Sequence, residues 1–223
     1  DLTQKGRQNV ASGTYMFSDE IRQLRNRARM AAKLPPNSPN GLSVSTVDPA
    51  GIVAAFPALR IRPEYTLRGY EERFGGNGDG FVRAFAPDQP APLPGAVLPY
   101  SARRQGSRAG FIDDPMEAIT GDGSPWSYLC ASILAREFAE FGARWHGQRW
   151  VTHTLLVGDP WADFPKDADR SFWALSTSED QWQWGQQKPT DWRPGVEIDE
   201  GKITVIFFTY SPLRQEGIYR HHD

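Results

Sequence analysis

Between Ser124 and Phe141 apolar side chains recur at the period of an α-helix, and no other stretch constrains the fold as tightly. Ser124 can cap free backbone N–H groups, and Pro125 loses nothing at the first helical position. The spacing predicts a helix over 124–142, with Trp126, Cys130, Ile133, Leu134, Phe138 and Phe141 on one arc that faces a core. Glu137 falls inside that arc. A carboxylate there must be paired, hydrogen-bonded or protonated, because burying it bare costs too much.

Gly142 and Gly147 bracket a short link, and Trp150 to Val157 has the β-branched content of a strand. Alternation places Val151, His153, Leu155 and Val157 on one face. A helix and the strand that follows it usually pack together, so Glu137 is expected to reach His153. A carboxylate orienting an imidazole is the minimum equipment for general acid–base work near neutral pH. The competing reading is a buried packing bond, with Arg144 as an alternative partner for Glu137. His146, flanked by Trp145 and near Trp150, is the third member of the candidate catalytic group.

The chain of 223 residues carries a net charge of only −2, which favours neither nucleic acid nor an anionic membrane surface as a partner. No apolar run approaches the roughly 20 residues that span a bilayer. With a single cysteine, Cys130, there can be no internal disulfide and no cysteine cluster for zinc. Placed on the apolar arc, Cys130 reads as a small core residue, and a reducing, cytoplasmic setting is expected. The first residue is Asp rather than Met, so a preceding segment or signal peptide is compatible with the sequence. No cofactor and no metal site is expected: Asp113, Asp114, Glu117 and Asp122 gather without the spacing of a known metal loop.

Residues 1–13 are polar and aperiodic, and read as an arm. Ser18, followed by Asp19 and Glu20, opens a second helix that ends before Pro35. Ile21, Leu24, Ala28 and Ala31 form its apolar stripe; Arg22, Arg25, Arg29 and Lys33 form a basic one, read mainly as a solvated face. Residues 1–40 thus make an N-terminal arm and helix, peripheral to the rest. Leu42 to Val47 is a short strand, and Asp48 with Pro49 caps a brief helix through Ala55. Leu59 to Phe74 and Phe81 to Ala86 read as strands joined by a loop, Gly75 to Gly80, whose spacing fits neither a P-loop nor a dinucleotide fingerprint. Five prolines across 87–100 make an extended connection, and Arg103, Arg104 and Arg108 add a basic spot beyond it.

Tryptophan is the unusual component: there are eight, five of them from Trp161 to Trp192. The segment from Asp159 to Lys188 reads as a long loop with a short strand near Phe172 to Ser176, and loops of this length are usually functional or tied down. In Gln181 to Gln187 flat rings alternate with amides, a combination suited to a sugar or an aromatic ligand as well as to covering a sheet. Val196 to Ile198, Ile203 to Tyr210 and Gly217 to His222 are the clearest strands. Ile203 to Tyr210 is apolar on both faces, which marks it as central.

These readings add up to a single α+β domain over 1–223, with a mainly antiparallel sheet, the 124–142 helix packed on it and the basic N-terminal helix. The functional expectation is a pocket for a small polar or aromatic ligand. Trp145, Trp150, Trp182 and Trp184 line it, and Glu137, His153 and His146 supply acid–base chemistry. The alternative is a non-catalytic protein that holds a protein partner through the Trp-rich loop and the basic helix.

Overall fold

A computed structural model of the chain describes residues 12–36, 39–90, 111–162, 175, 178–213 and 216–223. Most of the expected arm, most of the proline-rich connection, Arg103, Arg104, Arg108 and nearly all of the expected strand near Phe172 lie outside the described residues. In chain order the elements are β1 (Gly13–Met16), α1 (Glu20–Ala31), β2 (Gly41–Val44), α2 (Pro49–Ala54), β3 (Leu59–Ile61), β4 (Thr66–Phe74), β5 (Asn77–Phe85), β6 (Ile119–Gly121), α3 (Pro125–Ala139), β7 (Thr154–Leu156), β8 (Gly195–Asp199), β9 (Lys202–Ser211) and β10 (Gly217–His222). The class is α+β with antiparallel pairing. Among the described residues there are three sheets instead of one, of five, three and two strands. No helix among the described residues is long and apolar enough to cross a membrane.

The chain divides into two compact units. The central unit spans Gln23–Trp150. Its three-stranded sheet runs β2-β4-β5, and β3 pairs with β6. Tyr70, Phe81 and Phe85 form a core cluster with Leu42 and Phe111 against it. Ser124 caps α3, its side chain accepting from the Ser127 N–H at 3.2 Å. The helix ends at Ala139 because Gly142, with φ +75°, turns the chain back.

That return explains the glycines after β4. Only Gly75 and Gly76 form the turn, since Phe74 already pairs with Asn77, and Gly78 to Gly80 belong to β5 rather than to a loop. Arg144 bridges to Gly78, and a Cβ on Gly80 would stand 2.5 Å from the Tyr70 carbonyl and 2.8 Å from that of Phe141. Two backbones approach too closely there for any side chain.

The other unit combines residues 12–22 with the described part of 151–223. Its sheet runs β1-β8-β9-β10, and β7 also pairs with β9. β9 is therefore bonded along both edges, which its two apolar faces require. β1, which lies at the end of the expected arm, joins the sheet through the register Gly13↔Ile198 to Met16↔Gly195. The expected strand from Trp150 to Val157 is shorter than read. Trp150–Thr152 is a turn of 3₁₀ helix, and only Thr154–Leu156 is strand.

Candidate functional site

In the central unit Glu137 sits in the core, 8% exposed, on the apolar arc of α3. Its Oε1 accepts from Arg25 Nε at 3.1 Å and from the Trp150 indole N–H at 2.6 Å. Arg25 is 3% exposed; its Nη2 donates to the Trp150 carbonyl at 2.6 Å, and its guanidinium stacks over the Trp150 ring at 4.0 Å. Burial lowers the Arg25 pKa to about 10, against the raising influence of Glu137. The partner of Glu137 is thus Arg25 of the N-terminal helix. Arg144, the alternative partner read from sequence, lies 3.8 Å from Glu71. Arg25 also leaves the basic stripe: with Ile21, Leu24 and Ala28 it forms the buried face of α1.

His146 is exposed, and its Nε2 accepts from the Trp145 indole at 2.7 Å. Trp145 is itself 71% exposed, with φ +48°. Trp150 is buried. The four expected ligand-binding tryptophans therefore divide: Trp145 and Trp150 belong to the central unit, Trp182 and Trp184 to the other.

In the second unit His153 lies beside β9. Its Nδ1 is 2.8 Å from the Thr209 hydroxyl, which is also 2.8 Å from His221 Nε2. A hydroxyl has one proton, so with both rings neutral it donates to one and accepts from the other, fixing complementary tautomers. His221 stacks on Phe207 at 4.5 Å, and His153 packs against Tyr219. In this unit a hydroxyl orients His153. Sequence spacing could not find the triad, because Thr209 and His221 approach His153 only through strand pairing.

The opposite face of the same sheet is different. Alternation along β9 puts Ile206 and Phe208 on it, away from Phe207 and Thr209. An open groove of about 1190 Å³ lies over this face, lined by Met16, Ile206, Phe208, Ile218 and the Gln181–Asp191 segment with its Trp182 and Trp184 rings. His153 is not among its lining residues. Trp161, Trp182, Trp184 and Trp192 pack edge to face or tilted, with centroids 5.5 to 6.5 Å apart, and Trp192 meets Phe208 at 5.4 Å. Trp192 is buried, while Trp182 and Trp184 are only half-buried and supply the groove wall.

Ion pairs tie this segment down. Lys188 bonds to Asp159 at 3.0 Å and also to Glu179. Burial by itself would raise the Asp159 carboxyl, but the Lys188 ammonium and the Trp161 N–H outweigh it and hold the pKa below the usual carboxylate value. Lys188 is raised correspondingly by Glu179 and then Asp159. Arg193 clamps Asp191, Nη2 to Oδ2 at 2.6 Å, and lowers its pKa. Tyr210 donates to Glu216 at 2.8 Å; burial, then that carboxylate, push the phenol well above its ordinary value. Two charged residues of the lining, Glu197 and Arg220, have no such partner among the described residues.

The acidic residues before α3 are likewise occupied: Asp113 pairs with Arg83 at 3.0 Å, Asp114 caps a short 3₁₀ turn and Asp122 bonds Ser124. Among the described residues no group of three metal-ligating side chains gathers. No family model, no curated protein and no solved structure matches the chain.

Proposed function

We propose that the C-terminal unit is a binding module that takes a ligand with flat apolar and hydrogen-bonding parts into the groove over its sheet. The observation that carries this reading is the pairing of half-buried Trp182 and Trp184 with exposed Gln183, Gln186 and Gln187 in one groove. A segment meant only to cover the sheet would turn its rings fully inward, as Trp192 does. Here two rings keep an open side, and amides surround them. Ion pairs at Lys188 and Arg193 hold the segment in place, so little ordering remains for the ligand to drive.

Catalysis is not part of this proposal. Glu137 is engaged by Arg25 and Trp150, and His153 by Thr209, and neither residue lines the groove. The test is intrinsic tryptophan emission during titration with a panel of oligosaccharides, aromatic acids and short peptides. A saturable change is expected with at least one class. It should vanish in Trp182→Ala with Trp184→Ala while the circular dichroism stays that of the parent. A panel that leaves the emission unmoved, or a response that persists in the double variant, would refute the reading.

A further inference from the structure

We infer that the groove's ligand is an extended acidic peptide, added as a strand along the outer edge of β10; this rests on the groove reading and specifies it. β10 is the terminal strand of its sheet among the described residues. Val205 and Asp223 exchange both backbone bonds, at 2.8 and 3.0 Å, which fixes the phase of the β9–β10 ladder. In an antiparallel pair the bonded residues alternate, so His221, Tyr219 and Gly217 face β9, whereas Ile218, Arg220 and His222 turn their N–H and C=O groups outward. None of these three has a further bonding partner among the described residues. Such an edge is a template for an incoming strand.

Edge and groove coincide. Ile218 and Arg220 stand opposite Tyr210 and Phe208, and both line the groove. Ile218 also packs against the tryptophan cluster. A side chain of an added strand lying beside Ile218 therefore extends that apolar layer, and one beside Arg220 meets a guanidinium that pairs with no carboxylate among the described residues. Charge selects the occupant. A second copy pairing β10 with β10 about Arg220 would set like charges opposite one another, which disfavours the pair, and the register centred on Ile218 would set Arg220 against Glu216 of the copy, a carboxylate that already accepts from Tyr210. A foreign strand with an acidic residue two positions from an aromatic or aliphatic one satisfies both contacts.

The experiment is fluorescence anisotropy of the full chain with a fluorescein-labelled octapeptide that alternates threonine with phenylalanine around a central glutamate. The comparison peptides replace the glutamate by lysine or N-methylate one or the other alternate set of amides. Binding should favour glutamate over lysine by about fivefold, the upper range of a cross-strand charge pair. Arg220→Glu, a change at an exposed position, should invert that preference. One N-methylated set should abolish binding and the other leave it, because only one edge of the peptide bonds to β10.

Equal affinity for the two charges, or equal effects of the two N-methylated sets, would overturn the inference. If the peptide fails while a saccharide or aromatic acid still shifts the tryptophan emission, the peptide assignment falls and the groove reading stands. If no probe binds, both fall. Sedimentation showing a dimer that Arg220→Glu dissociates would assign the edge to a second copy and overturn the proposal.

Discussion

Arg25 keeps a positive charge in the interior of the central unit, bonded to the Glu137 carboxylate, with Glu140 adding a weaker electrostatic attraction. Removing one partner of a buried pair leaves an uncompensated charge, typically at a cost of about 3 to 5 kcal/mol, whereas replacing both by apolar residues of similar volume can be neutral. Glu137→Gln should therefore destabilise the unit by about 3 kcal/mol in urea unfolding. Arg25→Met combined with Glu137→Leu should recover most of that loss, minus about 1 kcal/mol for the Trp150 indole left without its acceptor. A single variant that costs nothing would mean the charge is compensated elsewhere. The burial of Glu137 was legible from helical periodicity alone. Its partner was not, being 112 residues distant. Yet α1 did carry a signal: Arg25 lies four residues after Ile21 and three before Ala28, in the middle of the apolar arc, so grouping it with Arg22, Arg29 and Lys33 placed it on the wrong face.

The Gln181–Asp191 segment has little regular structure, and Lys188 fastens it to Asp159 and Glu179. The folded state holds the Asp159 pKa below its unfolded value of 3.8, so its contribution is complete above that pH and is lost as pH falls through the lower folded value. Lys188 acts in the opposite sense: raised from 10.5, it contributes fully below that pH and loses its share as pH rises through its folded value. The segment should thus be held from about pH 4 to pH 10. Below this window tryptophan emission should shift to the red, and Lys188→Gln should show a partial shift at neutral pH and a smaller acid step. An acid step identical in both proteins would exclude the tether. Ring content and polarity made this segment legible as special, but its ion pairs join Lys188 to residues 29 and 9 positions away. The run from Gly75 to Gly80 shows the opposite difficulty. Glycines that read as a loop are strand residues, because the chain after α3 presses on them, and composition alone does not distinguish a turn from a close approach.

Across the whole molecule, the C-terminal unit is completed by residues 13–16 from near the start of the described chain. Four residues, Gly13 to Met16, are too short for period-2 patterning to declare a strand, and their partner β8 lies some 180 positions on, so this closure was not legible. β1 covers the edge of β8, and Phe17 adds a bond to the Pro194 carbonyl at 2.8 Å. Met16 also occupies the space above Gly195, where a Cβ would stand 2.9 Å from its sulfur, and so forms part of the groove wall. Deleting residues 1–17 should remove about four ladder bonds and cost this unit about 2 to 4 kcal/mol at roughly 1 kcal/mol each. It should also bare β8, whose Val196 and Ile198 are buried in the intact sheet, and an uncovered edge invites pairing between chains. The expected result is a lower urea midpoint for the emission of Trp161, Trp182, Trp184 and Trp192, together with concentration-dependent oligomers in sedimentation. Adding back a peptide of residues 12–18 in excess should reverse both, because it restores the missing strand without altering any other residue. An unchanged midpoint in the deleted protein would show that the sheet closes at β8 and that β1 contributes no more than contact.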